Sequence, residues 1–468
     1  MTGQNFPLSP AAERAMDLLH RAGYEAYAVG GCVRDALSGQ TPKDYDITTS
    51  ALPEETKTVF SGFRLIETGL KHGTVTVLMD GEPLEITTYR VDGGYSDARH
   101  PDGVTFTRSL REDAARRDFT VNAMAYDREH GVRDFFGGKA DLQAGILRCV
   151  GDPDRRFTED ALRILRGLRF ASVLGFSLEG ETEAAARRNR DLLGRLSAER
   201  VAAELGKLLC GPGAGRILAA YPDILGVVLP ELLPMAGYDQ KNEHHCYDLL
   251  THTAVVVDSV PPILSLRLAA LLHDMGKPRC FSMGEDGQGH FYGHASVSGE
   301  MAEDICRRLR LSNSLREQVV TLVRHHDGVI AEDSGVIRRR LNRLGEENFF
   351  ALLDLQRGDT MGLAPAYRDR LPRFGRVEAL AREALAEKGC LSLKDLAVNG
   401  HDLMALGYRG KSVGTALNLL LEGVLEERFP NRREALFEAL TKFSPEITGK
   451  TGEKTGENPC NPKESGRM

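Results

Sequence analysis

Tryptophan is absent, and the eight cysteines (Cys32, Cys149, Cys210, Cys246, Cys280, Cys306, Cys390 and Cys460) include no CxxC pair. That spacing excludes a zinc ribbon or a disulfide scaffold and predicts free thiols in a reducing cytoplasm. No stretch approaches the roughly 18 apolar residues of a membrane span, so a transmembrane protein and a membrane partner are not expected. The opening MTGQNFPLSPAAERAMDLLH lacks the basic-then-apolar layout of a secretory leader, which again predicts a cytoplasmic protein. Net positive charge is missing too. At −7, the chain as a whole is not drawn electrostatically to nucleic acid, although local basic faces remain open to it.

The length of 468 residues suggests about three domains at roughly 150 residues each. Basic clusters do occur: Arg155, Arg156, Arg163, Arg166 and Arg169; Arg187, Arg188 and Arg190; Arg338, Arg339, Arg340 and Arg343. Such runs are most often solvated helix faces, so RNA binding needs a second signal. The first 150 residues read as mixed α and β. A helix with one apolar face covers Pro10 to Arg21, the apolar run Tyr27-Ala28-Val29 meets Gly30-Gly31, and strands fit Gly73–Met79 and Leu84–Tyr89. From Glu159 onward, apolar residues recur at three and four, and helix is expected almost throughout. The class is therefore α+β. The last 25 or so residues carry few large apolar side chains, so a disordered tail is expected from 444 to 468.

Val29 to Thr49 reads VGGCVRDALSGQTPKDYDITT. A short strand, two glycines and a helix carrying Arg34 form a phosphate-binding arrangement, because backbone N–H groups at the helix start face an anion. Asp44 and Asp46, two apart in a strand, share one face. Two convergent carboxylates are hard oxygen ligands suited to Mg²⁺, which would activate an attacking hydroxyl and steady a leaving pyrophosphate. Glu85, on a strand reading LEITTYR, is a candidate third catalytic carboxylate.

Together these residues resemble the head of the family of class II CCA-adding enzymes and bacterial poly(A) polymerases. The resemblance continues through RRDFTVNA (Arg116–Ala123), DFFGGKADL (Asp134–Leu142), EDALRILRGLRF (Glu159–Phe170) and SAERVAAELGKLL (Ser197–Leu209). It implies a polymerase β-like nucleotidyltransferase head over 1–150, a helical neck over 151–240, and all-α domains beyond. By the same resemblance Gly31 and Arg34 hold nucleotide phosphates, Asp44 and Asp46 the catalytic metals, and Arg117 the sugar or phosphate. Asp160 and Arg163 face the incoming base, with Arg166 and Arg169 extending that face.

Chemistry agrees with the last assignment. Asp160 and Arg163 stand three apart on an expected helix, hence on one side. A carboxylate only accepts hydrogen bonds and a guanidinium only donates. Cytosine and adenine present an amino donor beside an unprotonated ring nitrogen, whereas uracil and guanine present a carbonyl beside an N–H. One such pair admits C and A and rejects U and G without a template.

Three segments favour the CCA branch over the poly(A) branch: ETGLKHGTVTV (Glu67–Val77), the loop YSDARHPDGVTF (Tyr95–Phe106), which resembles a mobile element for the switch from C to A, and Leu396 to Leu436, which resembles a tRNA-binding tail. The implied activity is addition of CCA to tRNA from CTP and ATP, with a tail domain over 366–443. Addition of CC or A alone, polyadenylation, or an RNA-binding head serving a hydrolase remain as alternatives.

The hydrolase alternative arises from His252, His273-Asp274, His294, His325-His326 and Asp359, which fall on separate expected helices. Imidazole and carboxylate suit divalent metals. The segment 241–365 resembles an HD-superfamily phosphohydrolase domain. That resemblance makes His252, His273, Asp274 and Asp359 the core ligands of a divalent ion (Mg, Mn, Co or Ni), with His294 and His325 permitting a second. It implies hydrolysis of phosphomonoesters or 2′,3′-cyclic phosphates.

Overall fold

The computed structural model describes residues 6–93, 103–285, 287–386 and 392–447. Most of the expected mobile loop, Tyr95 to Asp102, lies outside them. α1 (Pro10–Arg21) starts where the sequence allows: Ser9 Oγ accepts the Ala12 N–H at 3.1 Å, and Pro10 needs no partner at the first position.

The head is built on a seven-stranded sheet. Its strands are β1 (Ala26–Val29), β2 (Asp46–Thr49), β3 (Arg64–Ile66), β4 (Thr74–Met79), β5 (Glu82–Thr88), β8 (Ala125–Asp127) and β9 (Gly131–Arg133), in the order β3-β4-β5-β2-β1-β8-β9. The sheet is mixed, because β2 and β5 run parallel and the other pairs antiparallel. β6 (Arg90–Asp92) and β7 (Val104–Phe106) pair separately. Strand alternation decides what each face does. Ile47, Val75, Val77, Met79, Leu84 and Ile86 are buried in one core with Ala12, Ala15, Met16 and Leu19 of α1. Asp46 and Thr48, in register with Glu85 and Thr87, take the other face.

The head helices are α2 (Gly31–Leu37), α3 (Pro53–Val59), α4 (Leu110–Ala115) and α5 (Gly138–Ala144). Then come α6 (Pro153–Glu159), α7 (Leu162–Leu174), α8 (Gly180–Arg188), α9 (Ala198–Leu209), α10 (Ala214–Ala220), α11 (Pro222–Leu225), α12 (Leu249–Ser259), α13 (Leu264–Leu272), α14 (His294–Arg308) and α15 (Asn313–His325). The chain closes with α16 (Ser334–Leu344), α17 (Glu346–Met361), α18 (Leu371–Ala386), α19 (Gly400–Ala405), α20 (Lys411–Leu425) and α21 (Arg433–Ile447). Beyond Ala144 the described residues hold only two-residue strands, so the expected helical texture is present. α21 runs to Ile447, past the boundary at 443 where disorder was expected. Residues 448–468 lie outside the description.

The chain divides into two compact units, Met1–Asp327 with Ala351–Arg370, and Gly328–Phe350 with Leu371–Met468. The second unit takes α16 from within the segment 241–365 and has its own core, including Leu403, Leu420, Leu421, Leu436 and Leu440. No helix among the described residues is long and apolar enough to cross a membrane. The six described cysteines are all free thiols.

Candidate active site

A cleft of ≈ 630 Å³ gathers Gly30, Gly31, Arg34, Asp44, Asp46, Arg117, Asp160, Arg163, Arg166 and Arg169. Its lining has eight cations (Arg34, Arg116, Arg117, Arg163, Arg166, Arg169, Arg200, Lys207) against four carboxylates. That makes it a local positive site on a negative chain, suited to a polyanion.

The turn from β1 into α2 needs glycine. Gly30 has φ +76°, a backbone conformation that L side chains rarely adopt, and a Cβ there would face Arg117 Nη1 at 3.4 Å. Arg34, 8% exposed, is held by Asn122 Oδ1 at 2.7 Å and Asp35 Oδ1 at 2.7 Å. Asp44 and Asp46 flank Tyr45, whose ring is buried and whose hydroxyl donates to Pro7 O at 3.0 Å. Asp44 precedes the strand instead of lying in it, because β2 begins at Asp46. Alternation about the buried Tyr45 still brings both carboxylates to the cleft.

Burial and then Glu85 push the Asp46 carboxyl above its ordinary range, Asp44 adds to this, and Arg117 opposes it. Crowded negative charge is what a divalent cation relieves, so these residues fit the expected ion. Glu85 shares Asp46's register and sheet face but does not line the cleft. A raised carboxyl makes the folded state bind a proton more readily than the unfolded chain, so stability falls as pH rises through that window. Asp46→Asn is therefore expected to raise the Tm of metal-free protein at neutral pH, and the gain should fade toward about pH 4, near the unfolded carboxyl pKa. Melting curves in chelator at the two pH values check this; no gain at neutral pH would contradict it.

Sequence reasoning missed the side chains that hold the cationic wall. Asp113, fully buried on α4, accepts from Arg116 Nε at 2.9 Å, Arg117 Nη2 at 3.3 Å, Thr48 Oγ1 at 3.2 Å and Arg90 N at 3.3 Å. Burial pushes its carboxyl up, but Arg117 and Arg116 outweigh that and hold it below the usual range. Asp118 likewise takes Arg166 at 2.6 Å, and Glu204 takes Arg169 at 2.6 Å, so Arg166 and Arg169 line the cleft with their guanidiniums anchored. Arg187 and Arg188 are instead tied to Asp223 and Asp154 on the surface, the plain structural outcome for a basic run.

Asp160 is not on a helix. It lies in a break between α6 and α7 with extended dihedrals (φ −143°, ψ 103°), and its Oδ1 accepts the Leu162 N–H at 3.1 Å. The Asp160 carboxylate bonds Arg200 Nη2 of α9 at 2.9 Å and not the Arg163 guanidinium, although the Arg163 N–H donates to the Asp160 carbonyl at 3.0 Å. Arg163 donates to Glu159 Oε2 at 2.8 Å and to the carbonyls of Arg156 and Arg116. The two residues thus reach one cleft from separate supports.

A second constellation lies between helices. His252 of α12, His273 and Asp274 after α13, and Asp359 of α17 place one ligand atom each within 4.8 Å of one another, and Asp274, His294 and His326 do the same. The expected His325 is not in either group. It ends α15, whereas His326 continues the buried stripe Val319, Leu322 and Val323 and so turns inward. The ring nitrogens explain what the cluster can do. Nδ1 of His252, His273, His294 and His326 is committed to the backbone carbonyls of Gly362, Ala270, Phe291 and Val323, at 3.1, 2.7, 2.8 and 2.7 Å. That leaves each Nε2 as the inward ligand atom, the arrangement typical of metal-binding histidine. His252 Nε2 sits 3.1 Å from Asp359 Oδ1, yet neither it nor His273 Nε2 makes a hydrogen bond, although both are buried. Close, unbonded donors and carboxylates fit divalent ions. In the metal-free protein burial pushes His273 down, but Asp274 and Asp359 outweigh it and raise it to about 10. Lys277 Nζ adds a buried cation 2.7 Å from Asp274 Oδ2.

The mixed sheet, the glycine turn, the paired carboxylates and the cationic wall define a nucleotidyltransferase. Family profiles agree: "Poly A polymerase head domain" matches 26–148, "Probable RNA and SrmB-binding site of polymerase A" 175–234, and "tRNA nucleotidyltransferase domain 2" 290–440. The CCA-adding enzyme of Lactiplantibacillus plantarum is 51% identical over 442 residues, covering 92% of this chain and 95% of its own. That of Lactobacillus helveticus is 35% identical over 427 residues, covering 90% and 94%. The solved Bacillus stearothermophilus CCA-adding enzyme in complex with CTP is 29% identical, with a TM-score of 0.68 over 94% of this chain and 98% of its own. The chain belongs to the CCA-adding enzyme family.

Proposed function

We propose that the chain adds C, C and A to tRNA 3′ ends from CTP and ATP, in the cytoplasm. One observation carries the reading: a carboxylate pair, an anchored arginine wall and an acceptor–donor pair of base-reading type line a single cleft. The relatives are named for this activity, and the B. stearothermophilus enzyme holds CTP. Asp44 and Asp46 would hold Mg²⁺, which supplies charge neutralisation of the triphosphate and a more acidic primer hydroxyl. The chain's own part is to orient. Gly31 and Arg34 fix phosphates, Arg117 the sugar or phosphate, and Asp160 and Arg163 the base edge. In the second unit, Arg339, Arg340, Arg343 and Asn418 line a groove of ≈ 470 Å³, a surface chemically suited to the RNA backbone. Incorporation from CTP and ATP, but not UTP or GTP, into tRNA lacking CCA tests the reading. Equal use of all four nucleotides would overturn it.

The histidine–carboxylate cluster supports a second reading, a metal-dependent phosphohydrolase acting on phosphomonoesters or 2′,3′-cyclic phosphates. His252, His273, Asp274 and Asp359 would hold one divalent ion, and Asp274, His294 and His326 a second. A proton held by His273 at neutral pH must leave when its Nε2 takes a metal. Loading with Mn²⁺ or Co²⁺ is therefore expected to release about one proton or more, with affinity rising as pH rises toward 10. Calorimetry in buffers of differing ionisation enthalpy reads the proton count. Asp274→Ala should remove both this signal and metal-stimulated hydrolysis of 2′,3′-cyclic nucleotides while leaving CCA addition intact; a wild-type protein that binds no metal would end this reading.

A further inference from the structure

Three arginines of the cleft meet at one aromatic ring. Phe170 of α7, only 6% exposed, lines the cleft, and its ring centroid lies 3.8 Å from the Arg169 guanidinium, 5.3 Å from that of Arg34 and 5.5 Å from that of Arg166. Arg166 and Arg169 stand on the same helix as the ring, whereas Arg34 comes from α2 of the head. The ring is seated edge-on against Phe119, 6.0 Å away. Three cations drawn to one point repel one another, and the negative face of an aromatic ring offsets that repulsion. A polar tether runs beside it: Arg34 donates to Asn122 at 2.7 Å, Asn122 to Asp118 at 3.2 Å, and Arg166 to Asp118 at 2.6 Å. Such a tether joins the two arginines but leaves their guanidinium planes free to turn about it.

We propose that Phe170 is a positioning residue that holds the phosphate-binding end of the cleft in register with its base-reading end; this rests on the reading of Arg34 as a phosphate ligand and of Asp160 and Arg163 as base readers. Arg163, Arg166 and Phe170 recur at i, i+3 and i+7, so one face of α7 presents all three. The ring is thus built on the same rigid helix as the base-reading donor, and Arg34 is the head residue laid beside it. A nucleoside triphosphate spans both ends. With their spacing fixed, binding at one end presents the other at high effective concentration. Without the ring, Arg34 keeps Asp35, Arg166 keeps Asp118 and Arg169 keeps Glu204, so each end still binds. Only the spacing between them loosens.

The test separates a ligand that spans the cleft from ligands that fill one end. The CTP KM, kcat and C/U preference are measured on a tRNA lacking CCA for wild type, Phe170→Leu, Phe170→Met and Phe170→Tyr. Inhibition constants for cytidine and for inorganic tripolyphosphate are measured beside them at fixed free Mg²⁺. Phe170→Leu is expected to raise the CTP KM roughly five- to tenfold. Cytidine and tripolyphosphate should inhibit as they do in wild type, and C/U preference should hold, because neither base reader is touched. Methionine is adaptable and lacks a π face, so Phe170→Met should match leucine and serves if the leucine protein does not fold. Phe170→Tyr keeps the ring and should stay within about twofold of wild type. An unmoved CTP KM in the leucine and methionine variants, a loss shared equally by CTP, cytidine and tripolyphosphate, or a tyrosine variant as impaired as leucine overturns the proposal. A wild-type protein that takes no C from CTP would instead overturn the reading of the cleft, and with it the two ends that Phe170 holds in register.

Discussion

Asp46→Ala is expected to abolish transfer of both C and A while leaving tRNA binding largely intact, and Asp44→Ala should do the same. The fall in rate should exceed about a thousandfold, since several kcal/mol of transition-state stabilisation depend on the ions these carboxylates would hold. The geometry sharpens the expectation. Asp46 opens β2 at the cleft, and the like charges of Glu85 and Asp44 crowd it, so the site is electrostatically incomplete without a cation. Glu85→Gln should have a much smaller effect, because Glu85 does not line the cleft. Steady-state rates with CTP and ATP, beside a tRNA binding curve, make the check. Near-normal turnover in either aspartate variant would remove the pair from the chemistry.

Asp160→Ala and Arg163→Ala should damage choice as well as speed. Each removes one half of the acceptor–donor pair, and a contact of that kind is worth about 1–3 kcal/mol of discrimination. Both variants should insert U where C belongs, with C/U preference falling roughly ten- to a hundredfold. Arg163→Ala also takes the side-chain donor from the Arg116 carbonyl and one partner from Glu159, so it should be the less stable protein of the two. The readout is the set of four single-addition rates. Uniform slowing at unchanged preference would reduce the pair to a structural element of the neck.

How much of this could be read from residues alone follows the range of each interaction. Gly30-Gly31, Arg34 and Asp44/Asp46 were legible because their roles depend on neighbours in sequence: a turn, a helix start, an alternation about Tyr45. Helical spacing misplaced Asp160, because nothing local in GluAspAlaLeuArg marks the break that the structure puts there. Asp113, Glu159 and Arg200 went unread for different reasons. Asp113 gathers partners from β2 and β6, and Arg200 stands 40 positions from Asp160, distances only the fold can close. Glu159 was within reach, four residues before Arg163 on a helical repeat. His326 was within reach too. Counting from Val319, Leu322 and Val323 along the apolar face of α15 selects His326 over His325, and the resemblance alone did not make that choice. The mixed sheet with its helical sequel was foreseeable from the change in hydrophobic period. The grouping of α16 with the C-terminal helices was not, since it depends on tertiary packing.

The most direct measurement of the central claim is product length. The protein is incubated with a tRNA ending just before the CCA and with all four nucleotides, and the RNA is resolved at single-nucleotide resolution. One cleft that reads C and A through fixed side chains and serves the tRNA end predicts a product three nucleotides longer, with the sequence CCA and no extension beyond it. A ladder of added A, a stop after CC or after one nucleotide, or incorporation of U and G at comparable rates would contradict it.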